Sequence, residues 1–555
     1  MSRTSRNYES VAAGKVFVAP GLLGRGTSEE MPVSSVKQAA PPDAARLARS
    51  LEEFLAAHPG AAILEDGRLL FDLRLARYSI SAEHGRCLLH LWSEERNVVR
   101  TVAAIEPRRE TLRLETRRFG QTKPQTLTLV PDPDCRTPTA RDTARRRYMR
   151  VLEQALGAAF PDWNVESFRS AMDMENSFGP ACARGVLTRG RAAWAVIGVG
   201  PEEPAAVMEG VLTVGILWLA YCREHGGGRR VFHGLRVVAP RGCAAVSLAR
   251  MAWLNAELAQ WELFEMDPAS RELTACAVGD TGNLAVQLAH ACDPRAALER
   301  CATGVAHLRA VLPPDLLMAT EIRARSATEI SFSLHGLEYA RVRQSLAPGS
   351  FTRQDEITFG AGPSETLLDD TTEDMFLDLM DRLLQGRDAA RSTRDPLYRL
   401  QPERWLESVL RRDLSVLHAG LGSAPVYSQV PAFASASRTL LDLLTATQQG
   451  RLAVLELKAD DDLHLPLQAL DYWARVRMLH RAGELQQQGY FPGMELSQED
   501  PLLVLVAPAL RIHPANETVL RHFSPKVPWE LIALDEHWRQ ECRVVLRKHG
   551  GAGVR

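Results

Sequence analysis

Lysine is nearly missing from this chain: 66 residues are lysine or arginine, and by direct count 60 of them are arginine and 6 lysine. A lysine therefore stands out wherever it occurs. The 9 cysteines form no CxxC pair and no Cys/His cluster, which excludes a zinc ribbon or a disulfide scaffold and reads as reduced, buried thiols. Net charge is also small, -2 over 555 residues, so the chain is no polycation, and any nucleic-acid binding must come from a local basic face. The longest apolar run, Val211 to Cys222, is too short to span a bilayer and reads as a core helix. The first residues lack a signal peptide's apolar run. The expectation is a cytoplasmic protein with no membrane partner. No P-loop, Rossmann fingerprint, zincin motif or nucleophile elbow occurs, and Gly279-Asp280-Thr281-Gly282 is too weak for a phosphate loop, so coupling to ATP is not indicated.

What is present is an ordinary globular composition, 45% hydrophobic and 24% charged, on a chain long enough for three or four domains. Residues 1–42, rich in Gly, Ser, Pro and Ala, read as a disordered tail. Alternating segments such as RLLFDLRLARYSI and TLRLETRRF predict a β-rich module over 43–140. An α/β domain over 141–270 follows, with a helix from about Arg145 to Phe160. A connecting module over 271–395 combines a helical stretch from Leu284 to Val311, a second β-like passage from Thr320 and a helix near Thr372 to Leu384. After a linker, residues 396–555 read as helix, three strands, helix, strand, helix, strand, so the fold class is α/β multidomain. Between Arg100 and Arg150, 13 Lys/Arg face 6 Asp/Glu, which fits either a duplex-binding face or a solvated surface.

The two α/β regions repeat one another. GLRVVAP (234–240) and WELFEMD from Trp261 correspond to LLVLVAP (502–508) and WELIALD from Trp529, with the Pro-to-Trp spacing conserved. Upstream, WAVIGVG (194–200) matches LAVLELK (452–458), and YMRVLEQAL (148–156) matches the helix of RWLESVL. Four matches in one order predict a shared fold.

The residues that carry chemistry are Asp442, Glu456, Lys458 and Gln468, with Glu403 in support. Glu456 and Lys458 leave the same face of a strand. Gln448-Gln449-Gly450 reads as a three-residue hairpin loop with Gly at the left-handed position. In that register Asp442 lies opposite Glu456, with β-carbons roughly 5 Å apart. Two facing carboxylates repel, and a divalent cation between them turns that cost into a site. Mg²⁺ or Mn²⁺ held by Asp442 and Glu456, beside a compact ammonium, suits hydrolysis of a phosphodiester. Glu456-Leu457-Lys458 alone would read as an exposed strand end; the ordered set is what points to a site.

This arrangement over roughly 401–550 resembles the PD-(D/E)XK nuclease superfamily, and the wording LLDLL…GRLAVLELKA…LPLQALDYW is similar to its mismatch-endonuclease-like subgroup. The resemblance implies an αβββαβ restriction-endonuclease-like core, metal at Asp442 and Glu456, and functional positions at Glu403, Asp442, Glu456, Lys458, Gln468 and Tyr472. No Pro precedes Asp442, a departure from the motif's name, and Glu407, one turn after Glu403, is the other candidate for the helix carboxylate. The sequence alignment sets Gly198 and Gly200 against Glu456 and Lys458, Thr188 against Asp442, Thr213 near Gln468 and Met149 against Glu403. The first copy then reads as degenerate and non-catalytic, and Glu153 against Glu407 favours Glu403 as the functional residue. The expected function is a metal-dependent DNA endonuclease in repair or defence, with RNA as another possible substrate. The alternative is an inert nucleic-acid-binding or scaffold protein.

Overall fold

A computed structural model describes residues 44–552, apart from short segments at 66–67, 74–75, 84, 93–96, 109–110, 118–123, 132–137, 227, 268, 280–285, 347–352, 362–364, 391–394, 423 and 435–436. The expected tail over 1–42 lies outside the described residues. The chain divides into two compact units, residues 1–134 and 135–555. The three domains expected after residue 140 thus share one unit.

The first unit opens with helix α1 (Ala44–Ala57). Seven strands follow: β1 (Ala62–Glu65), β2 (Arg68–Asp72), β3 (Arg77–Glu83), β4 (Arg86–Trp92), β5 (Asn97–Arg108), β6 (Thr111–Arg117) and β7 (Gln125–Val130). They form one antiparallel sheet in the order β2-β1-β7-β6-β5-β4-β3. Alternating leucines on the strands, among them Leu112, Leu114, Leu127 and Leu129, meet Leu47, Leu51 and Leu55 of α1 in a single core. The period of two in the sequence is the cause, because every second side chain leaves the same face.

The second unit begins with an α/β half: α2 (Pro138–Ala159), β8 (Asn164–Arg169), β9 (Cys182–Arg189), β10 (Ala192–Val199), α3 (Ala205–His225), β11 (Val231–Pro240), α4 (Ala245–Met251), β12 (Gln260–Met266) and β13 (Leu273–Cys276). A connecting region follows with β14 (Val286–Leu288), α5 (Pro294–Arg300), α6 (Ala302–Val311), α7 (Pro314–Ala319), β15 (Thr320–Ser326), β16 (Glu329–Leu334), β17 (Leu337–Leu346), β18 (Arg353–Phe359), β19 (Thr366–Leu367), α8 (Glu373–Gly386) and α9 (Pro396–Arg399). Strands β15 to β19 form a five-stranded antiparallel sheet in sequence order. The last half comprises α10 (Pro402–Arg412), β20 (Tyr427–Ala434), β21 (Ser437–Ala446), β22 (Leu452–Leu457), α11 (Leu465–Arg481), α12 (Glu484–Gln487), β23 (Leu502–Pro508), α13 (Pro514–Arg521), β24 (Trp529–Leu534) and β25 (Val544–Gly550). The whole is a mixed α/β protein with four sheets among the described residues.

One expectation is corrected here. Of the helical stretch expected from Leu284, residues 284–285 lie outside the described residues and Val286–Leu288 form strand β14, which pairs antiparallel with β20. Val286 and Leu288 alternate with exposed Gln287, so three residues cover an edge that β20 would otherwise leave open. Helix resumes only at Pro294, capped by Asp293 through the backbone N–H groups of Arg295 and Ala296.

The two halves share strand order and polarity. β8 to β13 are arranged in sequence order, and so are β20 to β25, with the two central pairs parallel in each and the outer pairs antiparallel. Leu235 sits beside Trp261 as Leu503 sits beside Trp529. The second copy is longer between Arg481 and Leu502, where α12 lies, than the first is between His225 and Val231.

The residue correspondence at the site, however, differs by one from the sequence alignment. Val237 pairs with Ile197, whereas the equivalent Leu505 pairs with Glu456. Ile197 and Val199 face the α3 core. Gly198 faces α2 instead, where an added Cβ would lie 2.6 Å from Tyr148 Oη. Ile197 and Val199, not Gly198 and Gly200, therefore stand at the places of Glu456 and Lys458. Ile197 pairs with Arg184, so Arg184, not Thr188, stands at the place of Asp442. The hairpins differ as well: β9 turns into β10 between Arg189 and Ala192, a shorter loop than the one between Ala446 and Leu452. A one-residue error in register moves every side chain to the other face.

The halves pack against each other within the unit through one continuous core that joins Leu212, Ile216 and Leu235 to Leu467, Leu470 and Leu505. Arg250 of α4 donates to both carboxylate oxygens of Asp471 on α11 and to the Glu209 carbonyl. By length and apolarity α3 could cross a membrane, but Gly210 to Leu219 lie largely inside this core.

Candidate active site

The site forms at one end of β21 and β22. All six residues of β22 are buried, so a near-continuous apolar run carries Glu456 into the interior as its one acid. The turn before it has Gly450 at φ 77°, with Thr447 N–H donating to Arg451 O at 2.7 Å. The ladder then runs from Ala446/Leu452 to Leu443/Leu455, and the next pair in that register is Asp442 with Glu456. There the strands stop exchanging backbone bonds. Asp442 Oδ2 accepts the Leu457 N–H at 3.0 Å, while Lys458 N–H donates to Val506 O of the neighbouring strand.

Glu456 is 2% exposed, and its Oε2 has no hydrogen-bond partner. Its other oxygen lies 3.4 Å from Lys458 Nζ. Burial, reinforced by the nearby Asp442 charge, pushes the Glu456 carboxyl well above its ordinary range. Burial likewise raises Asp442 against the opposing Leu457 bond, with Glu407 adding to it. For Lys458, burial works against the charge, but the fields of Glu456, Glu403, Asp462 and Asp442 prevail and its pKa rises. The ammonium is thus held charged beside Glu456 and Asp442, whose carboxyls burial pushes up.

Helix α10 brings the fourth group. Pro402 suits the start of the helix through its fixed φ, while Glu403 in its first turn and Arg411 and Arg412 in its last complement the helix dipole. Glu403 Oε1 lies 3.8 Å from Lys458 Nζ, and burial raises its pKa, opposed by Lys458. Glu407, one turn on, is buried and already engaged: its Oε2 accepts from Arg404 Nη1 at 2.9 Å and Gln429 Nε2 at 3.1 Å, and Arg323 lies 3.5 Å from Oε1. The geometry therefore puts Glu403, not Glu407, at the lysine. A cleft of about 440 Å³ opens beside them, lined by Glu403, Arg404, Glu407 and Asp442 and, from the five-stranded sheet, by Arg325 and Arg341.

On α11, Tyr472 titrates higher through burial and then through Glu456 and Asp442, so it lies within their field. Gln468 is half-buried one turn earlier. Its amide makes no hydrogen bond to the carboxylates among the described residues. Three participants escaped the sequence reading. Asp462 lies 3.6 Å from Lys458 Nζ, and the i,i+4 spacing within the acidic run after Lys458 was the available signal. Arg323 comes from a remote strand. Gln429 reaches Glu407 from β20, at the ladder position opposite Asp442, where it adopts φ 55°, a feature composition does not reveal.

For a divalent cation the donor set fits: two all-oxygen side chains, one with a buried oxygen lacking any partner. No group of three or more His, Cys, Asp or Glu suited to a metal occurs among the described residues, so Asp442 and Glu456 are the pair on offer. In the first half the same location holds Ile197, Val199 and Arg184, all buried. The Arg184 guanidinium lies 4.4 Å over the Phe178 ring and donates to Ala171 O, so a fixed cation stands where the second half has a carboxylate. No protein-family model matches this chain, and a search of curated proteins finds no match.

Proposed function

We propose that residues 396–555 form a metal-dependent phosphodiesterase domain with an αβββαβ restriction-endonuclease-like core, acting on DNA, and that 141–270 is a degenerate, non-catalytic copy. The observation that carries this reading is the convergence of Asp442, Glu456 and Lys458 where β21 and β22 part. The order of helix, three antiparallel strands, helix and parallel strand supports the fold. The replacement of all three groups by Ile197, Val199 and Arg184 supports the loss of function in the first half.

Asp442 and Glu456 would hold Mg²⁺ or Mn²⁺, which, when bound, acidifies water and neutralises charge on phosphoryl oxygens. Lys458 adds a point charge for the phosphoryl oxygens or orients the attacking water. Glu403, beside the lysine and facing the cleft, keeps it from swinging into solvent. Arg404, Arg325 and Arg341 line the entry and suit the flanking phosphates.

The test is incubation of the purified protein with single-stranded, duplex, branched and mismatched DNA and with RNA, in Mn²⁺ or EDTA. Cleavage of at least one DNA in Mn²⁺, lost in EDTA, is the expected result. The presence of only two carboxylates for the metal favours the second reading, an inert nucleic-acid-binding scaffold. Binding without any cleavage would establish that one instead.

A further inference from the structure

The degenerate half touches the segment that follows the catalytic strand. Glycine in a helix interior costs about 1 kcal/mol relative to alanine, and Gly210, inside α3, is buried in the core. An added Cβ there would lie 2.6 Å from His464 Cε1 and within 3.2 Å of both ring nitrogens. The missing side chain is therefore the seat of the His464 ring. One turn along α3, Thr213 Oγ1 shares a 3.1 Å hydrogen bond with His464 Nδ1. Thr213 is fully buried, so its hydroxyl needs that partner.

From His464 a short path leads to the lysine. The backbone N–H of His464 donates to Asp462 Oδ1 at 2.7 Å. Asp462 Oδ2 lies 3.6 Å from Lys458 Nζ. In the other direction the His464 carbonyl accepts the Gln468 N–H at 3.0 Å, which starts the helix that carries Gln468 and Tyr472. His464 is thus the joint between the first half and both sides of the site. The wall beside it is made rigid by the Arg250–Asp471 pair at 2.7 Å.

We propose that the first half serves the second as a positioning element: Gly210 and Thr213 seat His464, and through His464 and Asp462 they hold Lys458 Nζ at the carboxylate pair. This rests on Lys458 being the catalytic lysine, and it gives a half without the acidic pair and the lysine a defined part in the reaction. A flexible ammonium on a four-carbon stem has many rotamers, and a misplacement near 1 Å can cost on the order of 10²-fold in rate.

The experiment uses the full chain carrying Thr213→Val, Thr213→Ser or Gly210→Ala, with two readouts. The first is kinetic. Thr213→Val and Gly210→Ala should lower kcat by about tenfold with KM and Mn²⁺ affinity within twofold of wild type, whereas Thr213→Ser, which keeps the hydroxyl, should retain wild-type kcat. The second needs no cleavage: acetylation of lysines by an N-hydroxysuccinimide ester, followed by peptide mass spectrometry. With so few lysines each is resolved. Lys458 should react several-fold faster in Thr213→Val and Gly210→Ala than in wild type or Thr213→Ser, while Lys526 and Lys548 should not change. Unchanged Lys458 labelling in both variants, or equal acceleration at all three lysines, would overturn the inference. If wild type does not cleave but the labelling behaves as expected, the positioning stands and the nuclease reading fails. If wild type cleaves and the variants match it in both readouts, the reverse holds.

Discussion

Replacing Glu456 by glutamine should abolish the proposed cleavage and at the same time stabilise the protein in EDTA. Glu456 is almost fully buried, one of its oxygens has no partner, and Lys458 at 3.4 Å is the single cation paired with it among the described residues. Its folded pKa lies well above the ordinary 4.5, so the folded state binds the proton more tightly than the unfolded chain. The associated stability is complete below about pH 4.5 and is lost as pH rises through the folded value. Above that folded value the wild type therefore carries the cost of a buried, incompletely paired charge. Glutamine keeps the shape without the charge, and Lys458 retains Glu403 and Asp462. Relief of an unmet buried charged acceptor stabilises by about 1–3 kcal/mol. For a unit of roughly 420 residues that corresponds to about 1–3 °C in the unfolding midpoint. The assay is calorimetry in EDTA from pH 4.5 to 8.5: wild type should lose stability with rising pH relative to Glu456→Gln, and the gap should widen. Saturating Mn²⁺ should reverse the order, because at a hundred times Kd a ligand stabilises by about 2.7 kcal/mol and the variant has lost a ligand. A variant less stable than wild type in EDTA at pH 8 would refute the reasoning.

Three further outcomes are expected. Lys458→Ala should keep the fold and lower cleavage by on the order of 10²-fold or more, read in single-turnover assays; normal cutting would remove Lys458 from the site. Asp442→Asn should lose the Mn²⁺ site seen by titration calorimetry in wild type, and equal binding by both would sink the metal assignment. Asp471→Asn leaves Arg250 buried without its carboxylate between the halves and should cost about 3–5 kcal/mol in urea unfolding, whereas a change below 1 kcal/mol would mean the pair is dispensable.

Much of this architecture follows from local sequence. The Leu452–Leu457 run, bounded by Gly450 and followed by an amphipathic helix, could only be a buried strand, and the Gly450 turn set the pairing that puts Asp442 opposite Glu456. The repeat was readable because VAP and WEL strands at fixed spacing must cross a sheet side by side. Tertiary structure alone decided which face each strand of the first half presents. The pairing of β10 with β11 puts Ile197 rather than Gly198 at the site, and its pairing with β9 sets Arg184 in place of an acid; no local pattern records a register relative to a distant copy. The same holds for β14, where three residues without strand-like length become a strand because β20 has an open edge. It holds equally for Gly210, Thr213 and His464, separated by some 250 positions. Periodicity reports what a residue does to its own element, whereas a contact between elements depends on how two finished surfaces fit, and that is set only when the whole core closes.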